Sequence, residues 1–185
     1  MSANELTPLP IEGAYVAQSK PHADSRGSFM RLFCAHDFGD AHGTRDIVQI
    51  NWSHTVTAGT VRGMHFQAGE NADAKWVRCM EGRVWDVIVD LRPASSTFMR
   101  WHAVELAPDN ARAVFIPEGC AHGFQTLESD SRLLYLHTQF YAPAAERGVA
   151  YDDPQLAIAW PRAVTMMSER DRSLPGVAQY LSDLR

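Results

Sequence analysis

Between Arg83 and Thr138 the chain runs as one short β-forming stretch after another, separated by turn signals. Residues Arg83 to Arg92 read RVWDVIVDLR and carry Val84, Val87, Ile88, Val89 and Leu91, a β-branched run that suits a pleated, buried surface. Phe98 to Leu106 alternates less regularly but is rich in Trp, Val and Phe, and Ala113 to Ile116 and Leu133 to Thr138 are further apolar runs. Glu81-Gly82, Pro93 to Ser96, Pro108 to Asn110 and Pro117 to Gly119 supply the turns. Strands at this spacing predict a β-sandwich or barrel, closed or doubled so that its edges are protected. Helix is expected only near Ser168 to Asp171 and Gly176 to Leu184. A length of 185 residues suits one compact domain, and five Trp, eight Phe and five Tyr provide for its core.

The formal charge of -5 argues against a general nucleic-acid or anionic-membrane partner, while leaving room for a local basic pocket. No run approaches the roughly 18 apolar residues that cross a bilayer. The opening MSANELTPLP has an acid and prolines where a signal peptide would carry basic residues and an apolar stretch. Cys34, Cys79 and Cys120 form no CxxC pair, which fits a reduced, cytoplasmic setting and three buried small hydrophobes.

Candidate chemistry begins at Val61 to Gln67 (VRGMHFQ), where Gly63 is expected to break a strand beside Arg62, and His65 and Gln67 share a face by the period of two. His122 lies in IPEGCAHGF, where Pro117, Gly119 and Gly123 predict an irregular backbone around a polar side chain. With eight histidines in the chain, neither is decisive alone. Two histidines in a β-rich chain invite a metal-site reading of the cupin type, but no HxH pair exists to put two ligands on one strand face, and Gln67 is a poor substitute. No metal and no cofactor are therefore expected. G-x-S-x-G elbows, nucleophilic cysteine signatures and Gly-rich phosphate loops are also absent. What remains is a dispersed polar set in strand-like surroundings: Arg26, Gln49, Asn51, Arg62, His65, Lys75, His122 and Tyr135. Singly, each reads as a surface or rim residue. Together they supply the acid, base and cation of a proton-transfer site.

Ordered motifs sharpen this. DSRGSF spans Asp24 to Phe29, QINWS Gln49 to Ser53, VRGMHFQ Val61 to Gln67 and KWVRCMEGRVWDVIVDLRPASSTF Lys75 to Phe98. IPEGCAHGF spans Ile116 to Phe124 and LLYLHTQFYAP Leu133 to Pro143, with DDPQLAIAWP ending at Pro161 and SERD at Ser168 to Asp171. In these segments the chain resembles the dTDP-4-dehydrorhamnose 3,5-epimerase family of rhamnose-type deoxysugar pathways. The resemblance implies a single all-β, cupin-type jelly-roll domain over residues 1–185, without metal, assembled as a homodimer that exchanges N-terminal strands. It implies epimerisation at C3, C5 or both of a nucleotide-linked 4-keto-6-deoxy sugar. By the same resemblance His65 is the base, Asp171 its carboxylate partner, Tyr135 the proton donor on the opposite sugar face and Lys75 the cation near the ketone oxygen. Arg26, Gln49, Asn51, Arg62, His122, Glu146 and Arg170 then hold the nucleotide sugar.

Departures from the family pattern are Arg31 where an acid is usual, His22 where an aromatic is common, Leu136 after Tyr135 where lysine follows, and Phe140 in place of a tyrosine. Arg170 stands where lysine is frequent. Arg31 is a donor only; at a base edge it would suit cytosine or guanine and leave the thymine N3–H unpaired. A C3-only or C5-only epimerase on a CDP- or GDP-linked sugar is thus an open alternative. From other classes come a non-catalytic sugar-binding cupin and a metal-dependent oxygenase.

Overall fold

The computed structural model describes residues 4–183. Two antiparallel sheets carry the fold. The first is six-stranded and contains, from one edge to the other, β1 (Asn4–Pro8), β2 (Tyr15–Ser19), β10 (Arg112–Ile116), β7 (Lys75–Glu81), β12 (Ser131–His137) and β5 (Gln49–Thr55). The second is five-stranded: β13 (Glu146–Gly148), β6 (Val61–Gln67), β11 (Cys120–Thr126), β8 (Val84–Asp90) and β9 (Trp101–Leu106). A separate hairpin pairs β3 (His22–Asp24) with β4 (Gly27–Phe29). Short helices α1 (Gly39–His42), α2 (Glu169–Arg172) and α3 (Val177–Asp183) complete the described residues. None is long and apolar enough to cross a membrane.

The sheets pack face to face through Val77, Val114, Ile116 and Leu133 of one and Val84, Ile88, Leu106 and Phe124 of the other, all buried. The outer faces of their central strands are covered too. Trp76, Phe115 and Leu136 lie against Phe38 and Ala41, while Met64, Val87 and Val89 lie against Leu156, Ile158 and Tyr180. The central strands therefore bury both faces, which is why their sequences read as near-continuous apolar runs. The all-β, jelly-roll expectation holds in this form.

Some expectations change. The Phe98 to Leu106 run starts its strand only at Trp101, because the turn before it is longer than Pro93 to Ser96. Buried Asp90 organises that turn, accepting from Ser95 Oγ (2.5 Å), Thr97 Oγ1 (2.6 Å) and the Arg92 guanidinium (2.8 Å). The irregular backbone expected around His122 takes the form of a register shift: His122 sits in strand β11, but its pairing with β6 slips between His122 and Phe124. Gly63 does not end its strand, but it lies in β6 at that register shift, at φ 125°, where the chain crosses Gly123. A Cβ at Gly63 would come within 2.5 Å of Gly123 Cα, so the crossing itself demands glycine. The two helical stretches appear as α2 and α3; Leu184, the expected end of the second, lies outside the described residues, as do Met1 to Ala3 of the N-terminal motif.

Candidate active site

The space between the sheets is filled by apolar side chains at one end and lined by polar ones at the other, and strand periodicity decides which side chains face the polar end. On β12, Leu133, Tyr135 and His137 share a face; on β7, Lys75, Val77 and Cys79; on β5, Gln49, Asn51 and Ser53. Register aligns them in rows: Tyr135 lies between Val77 and Asn51, and His137 between Lys75 and Gln49. From the facing sheet come His65 of β6, His122 of β11 and Asp86 of β8.

A cavity of about 940 Å³ opens here. Of the twelve residues expected to form the site, nine line it: Asn51, Arg62, His65, Lys75, His122, Tyr135, Glu146, Arg170 and Asp171. Gln49 lines an adjoining side cavity of about 180 Å³, whose walls include Asn51, His65, Lys75 and Glu146 as well. Arg26 and Arg31 line neither. Exposed Arg26 pairs with Asp24 at 2.5 Å on the hairpin, and Arg31 with Asp37 at 3.3 Å.

His65 Nε2 lies 2.8 Å from Asp171 Oδ1. The carboxylate is itself fixed, since Oδ2 accepts from the Gly63 N–H at 3.1 Å. Its backbone is fixed as well: the Ser168 hydroxyl caps α2 by accepting from the Asp171 N–H at 3.1 Å. Burial alone would raise the Asp171 carboxyl, but the bonds from His65 and Gly63 outweigh it and hold the group below its usual range. An ionised carboxylate only accepts, so Nε2 carries the hydrogen and Nδ1 of His65 is left to take a proton.

Tyr135 projects from the other sheet, its hydroxyl 3.0 Å from Ser53 Oγ. Burial pushes the phenol up from its ordinary value, so it stays protonated and able to donate. Burial pushes Lys75 down, opposed by the carboxylates of Asp73, Asp86 and Glu146. Buried His122 is likewise pushed down, and its Nε2 lies 2.8 Å from Asp86 Oδ2. Glu146 Oε1 lies 2.6 Å from Arg170 Nη2, and its Oε2 accepts from the Tyr141 hydroxyl at 2.7 Å.

Sequence reading missed Asp86, Ser53, Tyr141 and a further pair, Asp73 Oδ2 with His137 Nδ1 at 2.6 Å. Asp86 had a usable signal, a carboxylate flanked by Trp85 and Val87 inside the apolar run RVWDVIVDLR that must be paired if buried. Ser53, His137 and Tyr141 fall within the motifs QINWS and LLYLHTQFYAP, but nothing in their pattern singled them out, and Asp73 carried no signal. Among the described residues no group of three or more His, Cys, Asp or Glu side chains converges as a metal site would. Burial pushes the Cys79 and Cys120 thiols up to about 12, so neither is poised as a nucleophile.

Comparison with known proteins follows the same geometry. Residues 8–179 match the model of the dTDP-4-dehydrorhamnose 3,5-epimerase family. The enzyme of that name from Streptomyces griseus is 38% identical over 176 residues, covering 94% of this chain and 87% of its own. A dTDP-4-dehydrorhamnose 3-epimerase from Streptomyces niveus is 40% identical over 168 residues, covering 90% and 81%. The dTDP-6-deoxy-D-glucose-3,5-epimerase of Legionella pneumophila, solved with dTDP-4-keto-L-rhamnose, superposes with a TM-score of 0.91 at 34% identity, covering 98% of this chain and 96% of that one.

Proposed function

The chain belongs to the dTDP-4-dehydrorhamnose 3,5-epimerase family and is a nucleotide-sugar epimerase, and from that premise we propose that it inverts α-carbons of a nucleotide-linked 4-keto-6-deoxyhexose by proton transfer alone. The observation that carries this reading is His65 of one sheet paired with Asp171 of α2, and a protonated Tyr135 on the facing sheet, with Lys75 in the same cavity.

The protons on C3 and C5 are both α to the ketone. His65 Nδ1 removes one of them, and Asp171 supports the imidazolium that forms. The electron pair moves onto the ketone oxygen, where the Lys75 ammonium stabilises the enolate. At about 4 Å and an effective dielectric near 20 that attraction is on the order of 4 kcal/mol. The Tyr135 hydroxyl then delivers a proton to the opposite face, which inverts the carbon. Arg62, Arg170 and Asn51 are cavity-lining donors suited to the diphosphate and sugar, and Glu146 holds Arg170.

The assembly belongs to the same proposal. Strand β5 is a sheet edge, and Ile50 and Trp52 on its outer face are 62% and 64% exposed. An apolar exposed edge calls for a cover. A second copy, contributing the β3–β4 hairpin with Arg26 and the neighbouring Arg31, would provide it and bring both arginines to a pocket. Light scattering at micromolar concentration should give the mass of two chains; a single-chain mass would overturn the homodimer.

Turnover is tested by incubating the protein in deuterated water with 4-keto-6-deoxyhexoses linked to TDP, UDP, CDP and GDP, followed by proton NMR. Exchange and inversion at C3 or C5 with at least one nucleotide are expected. Binding without exchange for every sugar would leave only a binding module.

A further inference from the structure

Resting on that reading, we propose that His137, held by Asp73, is a further substrate-contacting residue. It serves as a hydrogen-bond acceptor for the hydroxyl on C3, beside the ketone that Lys75 engages. His137 faces the cavity from β12 two residues after Tyr135, and the two rings stack at 6.1 Å with 17° between their planes. Across the sheet its register partner is Lys75. Directly opposed residues of antiparallel strands lie about 5 Å apart, so the imidazole and the ammonium serve neighbouring atoms of one ligand.

The tautomer follows from the partners. Asp73 is anchored on Oδ1 by the backbone N–H groups of Thr138 (3.0 Å) and Gln139 (3.1 Å), which leaves Oδ2 to accept from His137 Nδ1 at 2.6 Å. Nδ1 therefore carries the hydrogen and Nε2 holds the one acceptor lone pair; Asn51 Nδ2 faces it at a long 3.4 Å and is the donor that a sugar hydroxyl would displace. An acceptor is the compatible group beside Lys75; a second N–H there would oppose the ammonium.

Ligand chemistry then selects the contact. The ketone has two neighbours in the ring. C5 bears a methyl group and the ring oxygen, neither a donor, whereas C3 bears a hydroxyl. His137 also borders both cavities, and the side cavity of about 180 Å³ holds roughly six waters' worth of space, enough for a ring substituent and too little for a nucleotide. A fixed acceptor there holds the C3 hydroxyl and aligns C3, not C5, for proton removal.

The ratio of deuterium entry at C3 to that at C5, with dTDP-4-keto-6-deoxyglucose as the probe, tests this. His137→Leu removes the acceptor. Asp73→Asn keeps every atom position but places an amide N–H against Nδ1, which moves the hydrogen to Nε2 and turns the acceptor into a donor. Both should lower the C3-to-C5 ratio about tenfold, the worth of one hydrogen bond, while thermal melting confirms folding. His137→Gln, which restores an acceptor, should recover part of the ratio. An Asp73→Asn ratio within twofold of the unmodified protein overturns the proposal, as does an equal loss at both carbons. If the unmodified protein exchanges neither carbon, the epimerase reading fails as well, so the two failures are distinguishable.

Discussion

Replacing Tyr135 by phenylalanine separates proton removal from inversion. The ring stays: it packs against the inter-sheet core, stacks on His137 and meets the His122 ring edge-on at 6.3 Å, and phenylalanine preserves all three contacts. Only the hydroxyl and its bond to Ser53 Oγ disappear. One partly buried hydroxyl pair is worth about 1 kcal/mol, which in a domain of this size shifts the melting midpoint by about 2–4 °C. The catalytic loss is larger. A positioned acid contributes about 10²–10⁴-fold, or roughly 3–5.5 kcal/mol, so inversion should fall by that factor. The proposal gives proton removal to His65 of the facing sheet with Asp171 of α2, which the change does not touch. Abstraction and return on the same face continue, and the α-position exchanges with solvent. In deuterated water, proton NMR should show exchange within about tenfold of the unmodified rate and almost no inverted product. Inversion at the normal rate would refute the role of Tyr135. Exchange falling in parallel with inversion would refute the separation of labour.

His65→Ala should abolish both exchange and inversion, by at least about 10²-fold each, because no other acceptor stands where Asp171 orients one; retained exchange by NMR would reassign the base. Overnight chelation before assay should leave turnover unchanged, and loss with rescue by one metal would end the metal-free proposal. Asp90 gives a pH-dependent stability. Burial alone would raise its carboxyl, but Arg92, Ser95 and Thr97 outweigh it and hold it at about 2, below the ordinary 3.8. A depressed folded value stabilises above the unfolded pKa and is lost as pH falls through the folded one, so on the order of 2 kcal/mol present at pH 7 should vanish between about pH 4 and pH 2. Melting curves of the unmodified protein and Asp90→Asn should converge over that window, and a constant gap down to pH 2 would refute the linkage.

Much of this architecture could be read before any coordinates, and the parts that could not share one cause. The runs at Val84–Asp90, Arg112–Ile116 and Ser131–His137 are apolar on both faces and read plainly as strands. Strand β5 escaped as a strand because its polarity is inverted: Gln49, Asn51 and Ser53 face the interior, while Ile50 and Trp52 face outward. Its interior is the cavity, so the usual apolar-inward rule fails where function begins. Strands β1 and β2 were also missed, since Pro8 and the polar residues among them resemble a loop. Ordered motifs drew attention to His65, Lys75, Tyr135 and Asp171, and all four line the cavity. The Asp73–His137 pair spans 64 residues and has no spacing to betray it.

Four histidines that line one cavity system are paired with carboxylates. His54, with Asp130, lies on the Trp52 face of β5, and position, not chemistry, separates the work of the other three. His137 shares a strand with Tyr135, so it approaches a bound sugar from the same wall and is badly placed to take a proton that Tyr135 must replace from the other side. His122 lies on the facing sheet, but its side chain is only 6% exposed and burial keeps it from gaining charge. His65 is on the facing sheet too and is 29% exposed to the cavity, with its partner Asp171 anchored by Gly63 and Ser168. Of the three, it alone combines reach, a held carboxylate and the wall opposite the phenol. The same reasoning gives the others non-basic duties: His122 with Asp86 is a fixed hydrogen-bonding surface, and His137 with Asp73 is an acceptor beside the Lys75 ammonium.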